Sequence, residues 1–300
     1  MENKKFSIIV ALEPGRDCKV LNSLKEIDYP KNQYEIFVIE SKNASKNRNQ
    51  GVKKAKGEIL AFIDDDCIIN KDLLKNAENL FKQYPEISAA GGPQLTPEDD
   101  SFFGKSVGLV MQTFLSSSFM AKRYKKSKLN LNASENHITT ANFFIKKDVF
   151  NKINGFDENI WPGEDTKLFL ELKKNNYKIA YSPDLYIYHK RRKNFKALIK
   201  QHYNYGYVMR YLNNRLSLNF KTIIFFSPAV WIIYTVLTPF LYLLNWIFIV
   251  PLTIYLILVI LNSLLLSIKK PLAFPLFILI FLAIHYSYGL GFLIGKLKRG

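Results

Sequence analysis

Three adjacent carboxylates, Asp64-Asp65-Asp66, follow the apolar run Ile59–Ile63. Like charges this close repel unless a cation or water screens them. A hard divalent cation takes carboxylate and phosphate oxygens together, and such an ion would neutralise a departing diphosphate. The other reading is a solvated acidic turn that caps the helix after it. Glu164-Asp165, preceded by Pro162-Gly163, opens a second helix-like segment. A helix N-terminus favours carboxylates through its dipole, so plain capping is one reading. The other is a base that takes a proton from an acceptor hydroxyl. His189 lies in Tyr188-His189-Lys190-Arg191-Arg192. It is either a metal ligand with phosphate-holding cations beside it, or a partly exposed histidine in a basic patch.

Elements must bring these groups together. Phe6–Leu12, Tyr34–Ile39, Ile59–Ile63 and Ile87–Gly91 read as strands. Helical spacing covers residues 17–27, where Tyr29-Pro30 ends it, then Ser45–Lys56 and Lys71–Gln83. Strands alternating with helices predict a parallel, right-handed α/β sheet. Ligands bind such sheets at the carboxyl ends of the strands, where the acidic triplet sits. Ser101–Lys122 is apolar with many Ser and Gly, and is expected to form a helix and an acceptor-facing loop. Ala141–Ile145 reads as a strand, Asp148–Ile153 as a short helix and Glu164–Asn175 as a longer one. Lys178–Tyr181 and Leu185–Tyr188 read as short strands around Ser182-Pro183-Asp184.

The charge is unevenly spread. The 300 residues carry 42 Lys and Arg against 25 Asp and Glu, a net +17. Every acid lies at or before Asp184, and residues 185–221 hold nine Lys or Arg. From Thr222 onward the only charges are Lys269, Lys270, Lys296, Lys298 and Arg299. A uniform soluble enzyme, a disordered chain and a disulfide scaffold are excluded; two cysteines staple little. Nucleic acid is one partner for a basic chain. Nine cations directly before an apolar tail fit anionic membrane lipids instead, so no nucleic-acid partner is expected. Residues 223–243 and 247–267 are each long enough to cross a bilayer, with Leu244-Asn245-Trp246 as the turn. A third apolar run, 272–295, contains Gly289, Gly291 and Gly295, which weaken it as a regular helix. The positive-inside rule wants Lys296-Leu297-Lys298-Arg299 inside, which a third span forbids, so the third run is either a full span with its tail outside or a re-entrant segment; the tail makes two or three spans, and three are expected. The apolar run at Phe6–Leu12 is too short for a signal peptide and no cleavage site follows. The soluble part is expected to stay cytoplasmic, with Cys18 and Cys67 reduced.

In order, these motifs resemble the family 2 glycosyltransferases of the GT-A type over about residues 5–210. The resemblance rests on Phe62-Ile63-Asp64-Asp65-Asp66, Gly91-Gly92-Pro93, Asn154-Gly155-Phe156-Asp157-Glu158, Gly163-Glu164-Asp165, and Pro183 to His189 with the basic residues after it. It implies an α/β GT-A domain with a mainly parallel sheet that binds a nucleotide-sugar donor, followed by C-terminal transmembrane helices. It implies inversion at the anomeric carbon with a divalent cation, Mn²⁺ or Mg²⁺. By resemblance Asp64, Asp66 and His189 are metal ligands, and Asp65 touches the donor ribose or sugar. Asp165 is the catalytic base, and Glu164, Gly91 and Gly92 face the acceptor. Arg48 contacts the nucleotide. Ala11 and Glu13 end the first strand where the family has Pro and a polar residue, and Glu40 ends the second where it has Asp. These positions would hold the nucleobase, whose identity is left open.

The expected domains are a cytosolic transferase with its basic segment, 1–221, and a membrane part, 222–300. The acceptor is expected to be a lipid-linked glycan or polysaccharide. The alternatives are an inactive glycan- or nucleotide-binding module of the same fold, and a membrane transport or scaffold protein. Three acid-free apolar runs offer transport no obvious polar path.

Overall fold

The computed structural model describes residues 4–160, 163–215 and 225–295. Pro162, residues 216–221 of the basic segment and Lys296–Arg299 lie outside the described residues. The chain forms two compact units. One comprises Met1–Pro97 with Phe119–Lys190, the other Glu98–Ser118 with Arg191–Gly300. The second unit thus holds the apolar piece 98–118 and the residues after Lys190 together with the tail.

The first unit is built on a six-stranded sheet. β1 (Phe6–Leu12), β2 (Tyr34–Glu40), β3 (Ile59–Asp64), β5 (Ile87–Gly91), β7 (Asn142–Lys146) and β8 (Lys178–Tyr181) lie in the order β2-β1-β3-β7-β5-β8. β1 and β3 are apolar almost without interruption, as suits strands buried on both faces. β2 sits at the edge, and its Ile36 and Val38 are exposed. One face packs Phe6, Ile8, Val10, Ala61 and Ile63 against α1 (Val20–Leu24) and α3 (Leu73–Gln83). The other packs Ile9, Leu60, Phe62 and Phe143 against α2 (Ala44–Lys54), α6 (Lys147–Lys152) and α7 (Glu164–Lys174).

Two differences from the expected pattern matter. β7 is antiparallel to both β3 and β5, so the sheet is mixed and only mainly parallel. The α1 helix is also shorter than expected: beyond Leu24 the chain unwinds, and Ile27 and Tyr29 pack on the core instead. A second, small sheet was not expected at all. It joins β4 (Cys67–Ile69), β9 (Ile187–His189) and β6 (Gln94–Leu95).

The second unit is helical: α4 (Phe102–Met111), α5 (Phe114–Ser117), α8 (Phe195–Arg215), α9 (Ser227–Leu244), α10 (Val250–Ser267) and α11 (Phe274–Ile294). Ser101 caps α4 by accepting from the Gly104 N–H. Ser227–Leu244, Trp246–Ser267 and Pro271–Ile294 are long and apolar enough to cross a membrane. The basic segment holds a 21-residue helix, α8. Of the glycines of the third apolar run, Gly289 and Gly291 lie within α11 without interrupting it, and Gly295 ends it. A Cβ at Gly289 would strike the Pro228 carbonyl and one at Gly291 the Tyr203 carbonyl, so both permit close helix approach.

Candidate active site

β1, β2 and β3 end together: Leu12 pairs with Glu40 and Ala11 with Asp64. The carboxyl edge of the sheet thus gathers Ala11, Glu13, Glu40 and Asp64. Glu13 and Glu40 are exposed there. Gly91 ends β5, and both it and Gly92 are buried. A Cβ on Gly92 would meet the Leu185 carbonyl, and one on Gly91 the Asn142 carbonyl. These two glycines have a packing requirement of their own, apart from any acceptor.

The chain leaves β3 at Asp64 and enters β4 at Cys67, so the triplet is the joint between the two sheets. In the small sheet Cys67 pairs opposite His189. That register sets His189 Nε2 3.0 Å from Asp66 Oδ1. Arg16, from the loop after β1, holds the other side: its Nη2 is 3.3 Å from Asp66 Oδ2 and its Nε 3.3 Å from Asp65 Oδ2. Asp65 is buried, and burial pushes its carboxyl above the ordinary aspartate range. Arg16 opposes this shift, while Asp66 and Asp64 add to it. The Nδ1 of His189 is buried without a hydrogen-bond partner.

Asp64 turns elsewhere. Arg48, 7% exposed on α2, places Nη2 3.2 Å from Asp64 Oδ1 and Nη1 3.1 Å from Glu164 Oε1. One guanidinium therefore bridges the triplet and the Glu164-Asp165 pair, and lies over the Phe156 ring at 5.2 Å. Two charge-assisted contacts from one rigid fork suit arginine and not lysine. Glu164 Oε2 also accepts from the Gly163 N–H at 3.1 Å. Burial, with Asp165 next to it, raises the Glu164 carboxyl despite Arg48. Gly163 has φ 107°, a left-handed conformation that glycine adopts without strain. Asp165 Oδ1 accepts from the Thr166 N–H at 2.7 Å. The loop Gly155-Phe156-Asp157-Glu158 is clamped to α2 by Asn49, which bonds both the carbonyl and the N–H of Phe156.

The expected residues thus fall into two connected groups: Asp65, Asp66 and His189 on one side, and Glu164 with Asp165 on the other, with Asp64 and Arg48 between them. Donor atoms of Asp66, Cys67 and His189 lie within 4.8 Å of one another. Asp66 and His189 fit a hard divalent cation that completes its shell with phosphate oxygens. Cys67 fits less well. Its thiol is fully buried, and burial with the three aspartates holds it well above the usual cysteine range, hence protonated. Arg16, Cys67 and the bridging role of Arg48 escaped sequence reasoning. For Arg16 the signal was present: a cation in the turn that follows a strand end.

Comparisons with known proteins agree with this architecture. The family described as "Glycosyltransferase like family 2" matches residues 1–206. Glycosyltransferase AglE of Haloferax volcanii is 22% identical over 245 residues, covering 72% of this chain and 75% of that protein. The dolichyl N-acetyl-alpha-D-glucosaminyl phosphate 3-beta-D-2,3-diacetamido-2,3-dideoxy-beta-D-glucuronosyltransferase of Methanococcus voltae is 23% identical over an alignment of 315 residues, covering 93% of this chain and 92% of its own. The solved structure of the mannosyltransferase PcManGT from Pyrobaculum calidifontis, in complex with GDP-Man and Mn²⁺, superposes with a TM-score of 0.57 at 14% identity. That likeness covers 99% of this chain and 89% of the mannosyltransferase, and it is one of fold.

Proposed function

The chain belongs to the family 2 glycosyltransferases, and from that premise we propose that it inverts a sugar from a nucleotide-diphosphate donor onto an acceptor hydroxyl at a membrane face. The carrying observation is the pairing of an anionic, His-flanked joint at the sheet's carboxyl edge with a carboxylate pair tied to it through Arg48. Asp165 takes the proton from the acceptor O–H. The oxygen then forms the new bond to the anomeric carbon as the bond to the diphosphate oxygen breaks, and the nucleoside diphosphate leaves with the electron pair. Asp66 and His189 would hold the divalent cation, Mn²⁺ or Mg²⁺. When bound, the cation supplies neutralisation of the charge that gathers on the leaving diphosphate. Arg48 and Glu164 fix the distance between the two ends of the displacement.

The Pyrobaculum complex contains GDP-Man and Mn²⁺, and the name of the Methanococcus relative specifies a dolichyl phosphate-linked sugar as acceptor. The first supports a nucleotide-sugar donor and the second a lipid-linked glycan acceptor for this chain. The basic run before the apolar helices supports a cytoplasmic site under the positive-inside rule. The test is a donor screen on the purified full-length protein with lipid-linked acceptors, reading released nucleoside diphosphate. One donor should be turned over in Mn²⁺ or Mg²⁺, and Asp66→Ala should abolish turnover at any donor concentration. Full wild-type activity in EDTA would sink the metal assignment.

A further inference from the structure

α11 does not continue the bundle of the two helices before it. α9 and α10 form an antiparallel hairpin, with the Trp231 and Tyr255 rings tilted against each other at 4.6 Å and the Tyr234 hydroxyl on the Phe248 carbonyl. α11 meets this hairpin at its base, where Gly289 lies against Pro228 and Ile232 and His285 accepts from or donates to the Tyr255 hydroxyl at 2.8 Å. Beyond that level Val236, Leu237, Phe240, Leu243 and Trp246 are exposed, Leu243 at 82%. From Trp231 to Leu244 is about 20 Å of helix at 1.5 Å per residue, most of a hydrocarbon core of about 30 Å. A third span would be expected to run on beside that stretch.

What accompanies α11 is α8. Gly206 lies against the Tyr288 carbonyl and the Phe292 amide, Gly291 against Tyr203, and Gly295 against Tyr207. Arg210 donates to the Leu293 carbonyl at 2.7 Å, at the end of α11. The two helices run in the same direction. α8 exposes Lys196, Lys200, Asn204 and Arg210 along with Ile199 and Tyr205, whereas α11 exposes only the apolar Pro275, Leu279, Leu290 and Ile294. If α11 crossed the bilayer, α8 would be drawn in with it. Lys196 and Lys200 would then sit in hydrocarbon with Arg210 carried to the far end of α11, and the sequence has no acid after Asp184 to pair with them. Laid in one leaflet instead, the pair is an amphipathic layer with α11 facing acyl chains and α8 facing head groups. Its cations suit anionic lipids.

We infer that the chain crosses the membrane twice, through α9 and α10, and that α11 lies in the near leaflet beside α8. The C-terminus then returns to the side of Lys269 and Lys270. Lys296, Lys298 and Arg299 join the other cations on that side, and the positive-inside rule is satisfied without exception. This replaces the three spans expected from the sequence.

The test is side-specific labelling of full-length protein in sealed vesicles with a membrane-impermeant maleimide. In a Cys18→Ser/Cys67→Ser background, single cysteines are placed as Gly300→Cys, Lys269→Cys, Lys200→Cys and Asn245→Cys. Gly300→Cys, Lys269→Cys and Lys200→Cys should label from one face and Asn245→Cys from the other. Labelling of Gly300→Cys together with Asn245→Cys would overturn the inference, as would protection of Lys200→Cys until detergent is added. The readout is topology alone, so it stands or fails independently of the transferase reading.

Discussion

At the scale of single residues, the base and the capping roles of Asp165 make different demands. Asn keeps the shape and the capping ability of Asp but cannot take a proton. Asp165→Asn should therefore lose transfer by about 10² to 10⁴, with stability changed by about 1 kcal/mol or less and donor affinity near wild type. Initial rates and thermal melts on one preparation separate the roles. Turnover within tenfold of wild type would point to Glu164 instead. Arg16 invites a second test, since it pairs with both Asp65 and Asp66. Arg16→Gln should leave their repulsion unscreened. The metal-free protein should then melt lower, and added Mn²⁺ should raise its melting temperature more than it does in wild type. Equal Mn²⁺ responses would mean that Arg16 does not compete with a cation. Asp65 gives a pH signature. Its carboxyl is raised by burial, so the folded state prefers it protonated and its ionisation costs stability above the folded pKa. Asp65→Asn should melt higher than wild type at pH 7 to 8, and the difference should vanish as the pH falls below the ordinary aspartate range. A difference that grows on acidification would reverse the assigned direction.

At the scale of elements, periodicity read well where a strand or helix was continuous. β1, β3, α2, α3 and α7 lie close to where apolar spacing put them. The triplet at the end of β3 and the Glu164-Asp165 pair at the start of α7 were legible for the same reason: each is a local event at an element boundary. What sequence could not supply was long-range register. β4, β6 and β9 are two or three residues long, too short for any period, yet their pairing is what brings His189 to Asp66. The antiparallel direction of β7 was not legible because some fifty residues separate it from β5 without regular alternation, and spacing carries no sign for strand direction. The basic run hid α8, whose apolar positions make sense only against α11. That packing predicts a specific weakness. Gly206→Leu would drive a side chain into the Tyr288 carbonyl, and overpacking of this kind typically costs about 1–3 kcal/mol or more. The variant should lose thermal stability in detergent, while Lys200→Ala on the exposed face of the same helix should not. Similar melts for the two would argue against a close α8–α11 crossing.

For the whole molecule, the acid-free tail sets the expectation that full-length protein pellets with membranes and resists both high salt and carbonate. Recovery in the soluble fraction would refute integral attachment. The bare end of the hairpin has a further consequence. Its turn is a single short stretch around Asn245, and the two helices that reach it expose apolar side chains outward. Two spans alone, as inferred above, would enclose no lumen, and among the described residues of α9 and α10 no charged side chain would line a route between them. On the proposed topology traffic would be one-sided: donor, acceptor and product would all arrive and depart on the face where the cations are. If the finished glycan is needed on the opposite face, a separate translocating machine has to carry it there, and a reagent confined to that compartment would find almost nothing of this enzyme to bind.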